Sequence, residues 1–220
     1  SETASAAFTA RSSSPGSGFQ RSLPMSGAPQ LSMRQQSVLH GFRYEFLDGA
    51  GEVVGGFEFA NFAQAKNARL KVHAPGSRRG EIALDLRGRR AHVAFEYLRR
   101  GWTNDIRYTL EQDPPHGAAG GVVETLATAD VLFEAGRRLP RILLKHPFDA
   151  EVLPSDSLFK KRFSVVGPGG RALGEVREPR AFSLRRLLDV SVVGDGRHPP
   201  EDPSGFLQAF LAVVVLCVRY

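Results

Sequence analysis

The sequence predicts a mainly β domain in which an antiparallel sheet, closed or sandwiched, surrounds an apolar C-terminal helix. Short segments of alternating apolar and polar residues recur along the chain, separated by turns that contain Gly and Pro, as is typical of antiparallel sheets. The segment 205–218 is different, because it is apolar on every side of a helix. A helix without a polar face must be buried all round. A sheet that wraps this helix accounts for both patterns.

The predicted strands follow one another closely. Residues 42–46 alternate and end at the turn residues 48–51, after which 52–59 runs back as the second strand of a hairpin. Residues 167–170 form a similar turn later in the chain, and short helices are expected at 62–68 and 181–186. The other predicted strands are 69–73, 81–86, 91–98, 105–111, 121–126, 130–135, 141–145, 159–166, 172–177 and 187–193.

The apolar run 205–218 is predicted to be a core helix rather than a membrane span. A bilayer core needs roughly 20 apolar residues, and this run is shorter and contains Gln208. A C-terminal tail anchor remains the alternative. Cys217, the only cysteine, lies in this run, where a thiol usually behaves as a small buried hydrophobe. No intrachain disulfide can form.

Residues 1–37 are predicted to be a disordered tail that precedes a single domain at 38–220. The tail is rich in Ser, Ala, Gly and Pro and has too few apolar residues to offset the entropy of ordering. It has no apolar core of signal-peptide type, so the cytoplasm is the default location, with peripheral membrane association left open. Its Ser and Arg content also fits an organelle transit peptide. The oligomeric state is not indicated.

The charge of the chain favours an acidic partner. The formal net charge is +6 and the pI is about 9.9, which suits nucleic acid, anionic lipid headgroups or an acidic protein. The basic residues occur as scattered short runs, at 78–79, 89–90, 99–100, 137–138, 160–162 and 185–186. This scatter disfavours nucleic acid. Solvated positions at strand ends are the alternative explanation.

Two of these basic runs are candidate contact sites for an anionic partner. One combines an Arg pair with the only Trp of the chain at a strand end, and Trp and Arg are enriched at interfaces. The other is a Lys-Lys-Arg run, which also suits a charged strand edge that prevents aggregation. For Trp102 the alternative is a core residue at the rim of the sheet. The candidate residues are Arg99, Arg100, Trp102, Lys160, Lys161 and Arg162.

No catalytic residue, metal site or cofactor is predicted. The six His residues lack the spacing of metal-binding motifs, and Cys217 has no cysteine partner. No Gly-x-Ser-x-Gly motif of a hydrolase occurs. The Gly-rich turn at 167–170 lacks the Lys and Ser or Thr of a phosphate-binding loop.

A hairpin pattern occurs twice in the chain and suggests two related half-sheets. In each copy an alternating strand meets a Gly-containing turn, and the return strand begins at a glycine. A Phe follows a few residues later, and then basic residues and a further strand. The matched positions are Tyr44, Phe46, Asp48, Gly51, Gly55 and Phe57 in the first copy, and Phe163, Val165, Gly167, Gly170, Gly174 and Val176 in the second.

The repeated hairpin and the terminal apolar helix, which follows a Pro- and acid-containing loop at 195–203, resemble the tubby-like superfamily. The closest likeness is to its LURP-one-related and phospholipid-scramblase branch, and it covers about residues 38–220. The resemblance implies a closed antiparallel β-barrel of twelve strands, in two pseudo-repeated halves, around a central hydrophobic C-terminal helix.

The functions within this superfamily differ, so the resemblance does not fix an activity. Tubby members bind phosphoinositides through basic residues, and scramblases carry a cysteine cluster and a calcium-responsive acidic segment. This chain has one cysteine, and only Asp195, Glu201 and Asp202 are acidic before the helix. Calcium needs about six or more oxygen ligands, so scrambling and calcium control are not expected. LURP-one-type proteins are the closer comparison.

We therefore expect a non-enzymatic LURP-one- or tubby-like binding or scaffold protein without a transmembrane span. Its expected partner is an anionic lipid headgroup or an acidic protein surface. One alternative is an enzyme with a site at the barrel mouth, built from residues of distant strands. Another is a C-terminally membrane-anchored protein.

Overall fold

The structure is a computed structural model, and it describes residues 31–37, 42–60, 79–98, 105–112, 123–134, 139–154, 162–179, 186–192 and 205–219. These residues form twelve strands and one helix. The described residues also contain a short 3₁₀ turn, Pro168–Gly170. The elements are β1 (Leu31–Gln35), β2 (Arg43–Leu47), β3 (Val53–Glu58), β4 (Arg79–Leu86), β5 (Arg89–Tyr97), β6 (Ile106–Gln112), β7 (Glu124–Leu132), β8 (Arg141–His146), β9 (Ala150–Pro154), β10 (Arg162–Val166), β11 (Ala172–Arg177), β12 (Leu187–Val192) and α1 (Phe206–Arg219).

The strands form one closed antiparallel barrel, which confirms the predicted fold class. Each strand pairs with its neighbours in chain order, and β1 pairs with β12 to close the circle. In this closing pair Leu31 lies opposite Val190, and Met33 lies opposite Leu188. Closure removes the unpaired sheet edges that otherwise promote aggregation.

The strand β1 corrects the predicted boundary at residue 37. Leu31–Gln35 was included in the expected disordered tail, but it pairs with β2 and β12. Leu31 and Met33 face the core, while the Ser32 hydroxyl donates to Asp189 at 2.7 Å. These partners are distant in sequence, so the local composition gave no sign of them.

Two further strands differ from the prediction. Residues 121–126 and 130–135 were predicted as separate strands, whereas Glu124–Leu132 is one strand with a register shift in its pairing to β6. The short strand Ala150–Pro154 was not predicted. The expected strand 69–73 and helix 62–68 lie outside the described residues, as do positions 181–185 of the other expected helix.

The repeated hairpin of the sequence is present in the structure with matching geometry. Phe46 pairs with Gly55 in the first copy and Val165 with Gly174 in the second, and each pairing is followed by a register shift. A Cβ on Gly55 would lie 2.0 Å from the Asp85 carbonyl oxygen, and a Cβ on Gly174 would lie 2.2 Å from the Ser191 carbonyl oxygen. Both hairpins therefore require glycine where the next strand approaches.

The helix α1 fills the barrel and confirms the predicted core helix within one residue. Its side chains from Phe206 to Cys217 are buried, and it packs most extensively against β12 and β7. Two small residues of β7, Ala127 and Ala129, are fully buried, which allows the helix to approach this strand closely. The helix thus supplies the apolar filling that a wide barrel needs.

The stability of this core depends on pH through the phenol of Tyr108. Tyr108 of β6 is fully buried, and burial raises its pKa well above the ordinary value, with the hydrogen-bonded Cys217 adding to the effect. The folded chain therefore keeps its phenolic proton after the unfolded chain has lost it. The contribution of Tyr108 to the free energy of unfolding is fully present below pH about 10 and is lost as the pH rises above that value.

We expect the Tyr108→Phe variant to unfold with a weaker pH dependence in alkali. Above pH about 10 the stability of the native chain should fall about 1.4 kcal/mol per pH unit more steeply than that of the variant. Denaturant unfolding followed by circular dichroism across this range gives both slopes. Equal slopes would contradict the account of Tyr108.

Candidate functional site

The barrel has two ends, and consecutive connections lie at alternate ends because every strand pair is antiparallel. The structure therefore assigns each connection to an end through the strand residues that flank it. One end is formed by Gln35, Arg43, Glu58, Arg79, Tyr97, Ile106, Leu132, Arg141, Pro154, Arg162, Arg177 and Leu187. The opposite end is formed by Leu31, Leu47, Val53, Leu86, Arg89, Gln112, Glu124, His146, Ala150, Val166, Ala172 and Val192.

The sequence segments that join strands at the first end are strongly basic. Outside the described residues they are 38–41, 61–78, 99–104, 135–138, 155–161 and 180–185, and together they contain 12 Lys and Arg but only one acid, Asp156. The corresponding segments at the opposite end, 113–122 and 193–204, contain one Arg and four acids. We call the first end the basic end.

The described barrel itself is not basic. Of the 29 Lys and Arg in the chain, 14 lie in the described ranges, whereas 17 of the 23 Asp and Glu do. The described part thus has a formal charge of −3, although the whole chain has +6. Most of the excess positive charge lies in the segments that connect the strands, which carry a formal charge of +8, and residues 1–30 carry +1.

The outer wall of the barrel neutralises its arginines through cross-strand ion pairs. The Arg107 guanidinium donates to both carboxylate oxygens of Asp130, at 2.7 and 3.0 Å, and this hydrogen bond raises the pKa of Arg107. Arg141 pairs with Glu151 at 2.8 Å and with Glu134 at 3.1 Å. The other pairs nearest the basic end are Arg34–Glu45, Arg43–Glu58, Arg162–Glu175 and Arg177–Asp189.

Of the six candidate residues, the structure describes Arg162. It begins β10 at the basic end, and its guanidinium pairs with Glu175 of β11. The Arg162 side chain is 49% exposed and has a carboxylate partner within the barrel, and its role in binding an external anion stays a prediction. Arg99, Arg100, Trp102, Lys160 and Lys161 lie outside the described residues.

The strand ends that flank these five residues are described, and all of them belong to the basic end. The amide of Leu98 donates to the Asp105 carbonyl at 2.9 Å, which ties together the two sides of segment 99–104. Phe163 pairs with Pro154 beside segment 155–161. The two candidate runs, far apart in sequence, are thus joined to the same end of the barrel.

Eight further basic residues belong to segments joined to the same end and were not candidates from the sequence. Arg78, Arg137, Arg138 and Arg185 are in the scattered basic runs, and the others are Lys66, Arg69, Lys71 and Arg180. In an up-and-down barrel the connections alternate between the two ends. Once all twelve strands are identified, each connection can therefore be assigned to one end.

An exposed apolar side chain accompanies the basic residues at this end. Leu98 follows β5 directly and is 42% exposed. It immediately precedes Arg99 and Arg100 in the sequence, and Trp102 follows two residues later.

The buried side chains of the described barrel are almost all apolar. The polar and charged ones among them are Gln35, Asp130 and Gln208, and Asp130 is held by Arg107 on the outer wall. Within the described ranges, no group of three or more His, Cys, Asp or Glu could hold a metal ion. Among the same residues, no helix has the length and apolar content that a membrane crossing requires.

A shallow depression of about 270 Å³ lies on the outer wall over β4, β5 and β6. Ala94 and Thr109 are among its lining residues, and Glu96, Arg107 and Glu111 border it. Its charged groups already interact with one another or with neighbours. Arg107 is bound by Asp130, and Glu111 lies 2.9 Å from the His92 ring. The depression therefore offers few unengaged groups to a ligand.

Comparisons with known proteins add no identification. No family model matches the chain, and no curated protein or solved structure shows significant similarity to it. The resemblance to the tubby-like superfamily stays a prediction from the sequence.

Proposed function

We propose that the chain is a non-enzymatic binding protein that presents the basic end of its barrel to an anionic partner. The observation that carries the proposal is the separation of charge between the two ends. Segments joined to the basic end hold 12 basic residues against one acid, while the wall beside them is neutralised by ion pairs. An uncompensated field of one sign attracts ligands of the opposite sign.

The filled interior also supports binding rather than catalysis. A barrel enzyme needs a pocket in which acids, bases or a cofactor converge on a substrate. Here α1 occupies the described interior with apolar side chains. Contact with a partner is therefore left to the outer surface, and the segments joined to the basic end hold 12 of the 29 Lys and Arg of the sequence. A tubby- or LURP-one-like role as a binding or scaffold protein is consistent with this arrangement.

The proposal predicts salt-sensitive binding that depends on one end of the barrel. We expect the full chain to bind phosphatidylserine-containing vesicles, polyglutamate, or both at low salt. Release should follow as the Debye length falls from about 10 Å at 0.1 M to about 3 Å at 1 M salt. The double variant Lys160→Gln/Lys161→Gln should bind vesicles about 25-fold more weakly, at roughly five-fold per basic residue.

The matched control removes two charges from the opposite end. Arg90→Gln/Arg171→Gln loses the same net charge from residues next to the turns at 87–88 and 168–170, and it should retain the affinity of the native chain. Cosedimentation with vesicles and retention on immobilised polyglutamate measure both variants. Absence of binding to both probes at low salt would overturn the proposal, and so would equal losses in the two variants.

A further inference from the structure

We draw no further inference here: the strongest candidate, the depression on the outer wall over β4, β5 and β6, is bordered by charged groups that already interact with one another or with neighbouring strands, and nothing in the described part of the chain shows what would cover it.

Discussion

The Val214→Asp variant is expected to lose cooperative folding. Val214 lies in the middle of α1 and is fully buried, so the new carboxylate would be enclosed by apolar side chains on every side. Taking an unpaired ion into such an environment costs several kcal/mol. The loss of the apolar packing contacts of the valine side chain adds to this cost. We expect a destabilisation of about 5 kcal/mol or more, comparable with the whole stability of many domains.

The surface provides the control for this substitution. Val53→Asp makes the same chemical change at a side chain that is 56% exposed, and it should cost less than about 1 kcal/mol. Denaturant unfolding followed by far-ultraviolet circular dichroism, together with size-exclusion chromatography, compares the two variants. If Val214→Asp unfolded at the same midpoint as Val53→Asp, α1 would not be the core of the barrel.

The Gly55→Ala variant is expected to be the second most damaging change. The added Cβ would lie 2.0 Å from the carbonyl oxygen of Asp85 on β4, and backbone atoms cannot move aside as a flexible side chain can. The pairing of β3 with β4 must open locally, at a cost of about 3 kcal/mol. Thermal unfolding of the variant measures this loss.

Gly51→Ala separates crowding from backbone strain. Gly51 has a φ of +83° but no atom within 4 Å of an added Cβ, so alanine there meets only the conformational cost, roughly 1–2 kcal/mol. Gly174, which occupies the equivalent place in the second hairpin, should resemble Gly55 instead. Equal stabilities for the Gly55 and Gly51 variants would show that the close approach of β4 is not what requires glycine.

Much of the fold could be predicted because its signals are local. The hairpin β2–β3 follows from alternation and a Gly-rich turn, and α1 follows from a run too apolar to be exposed and too short to span a bilayer. The strand β1 could not be found in this way. Its five residues carry two apolar side chains that face the core, and its pairing partners lie as far away as Val190.

The candidate site was harder to predict because it depends on topology. Arg99 and Lys160 belong to separate connections, and nothing in their local sequence relates them. The two connections lie at the same end because successive strands run in opposite directions around the barrel. Arg162 lies in a basic run, which suggests a cation available to a partner. Its ion pair with Glu175 joins two neighbouring strands, so the local sequence does not indicate it.

The most direct test of the account is amide hydrogen exchange of the full chain with and without phosphatidylserine vesicles. We expect slower exchange on binding at the basic end, in peptides that cover 98–106, 132–141 and 154–162. We expect no change at the turns of the opposite end, 48–52, 87–88 and 167–171. Protection at those turns or along the outer wall, with none at the basic end, would contradict it.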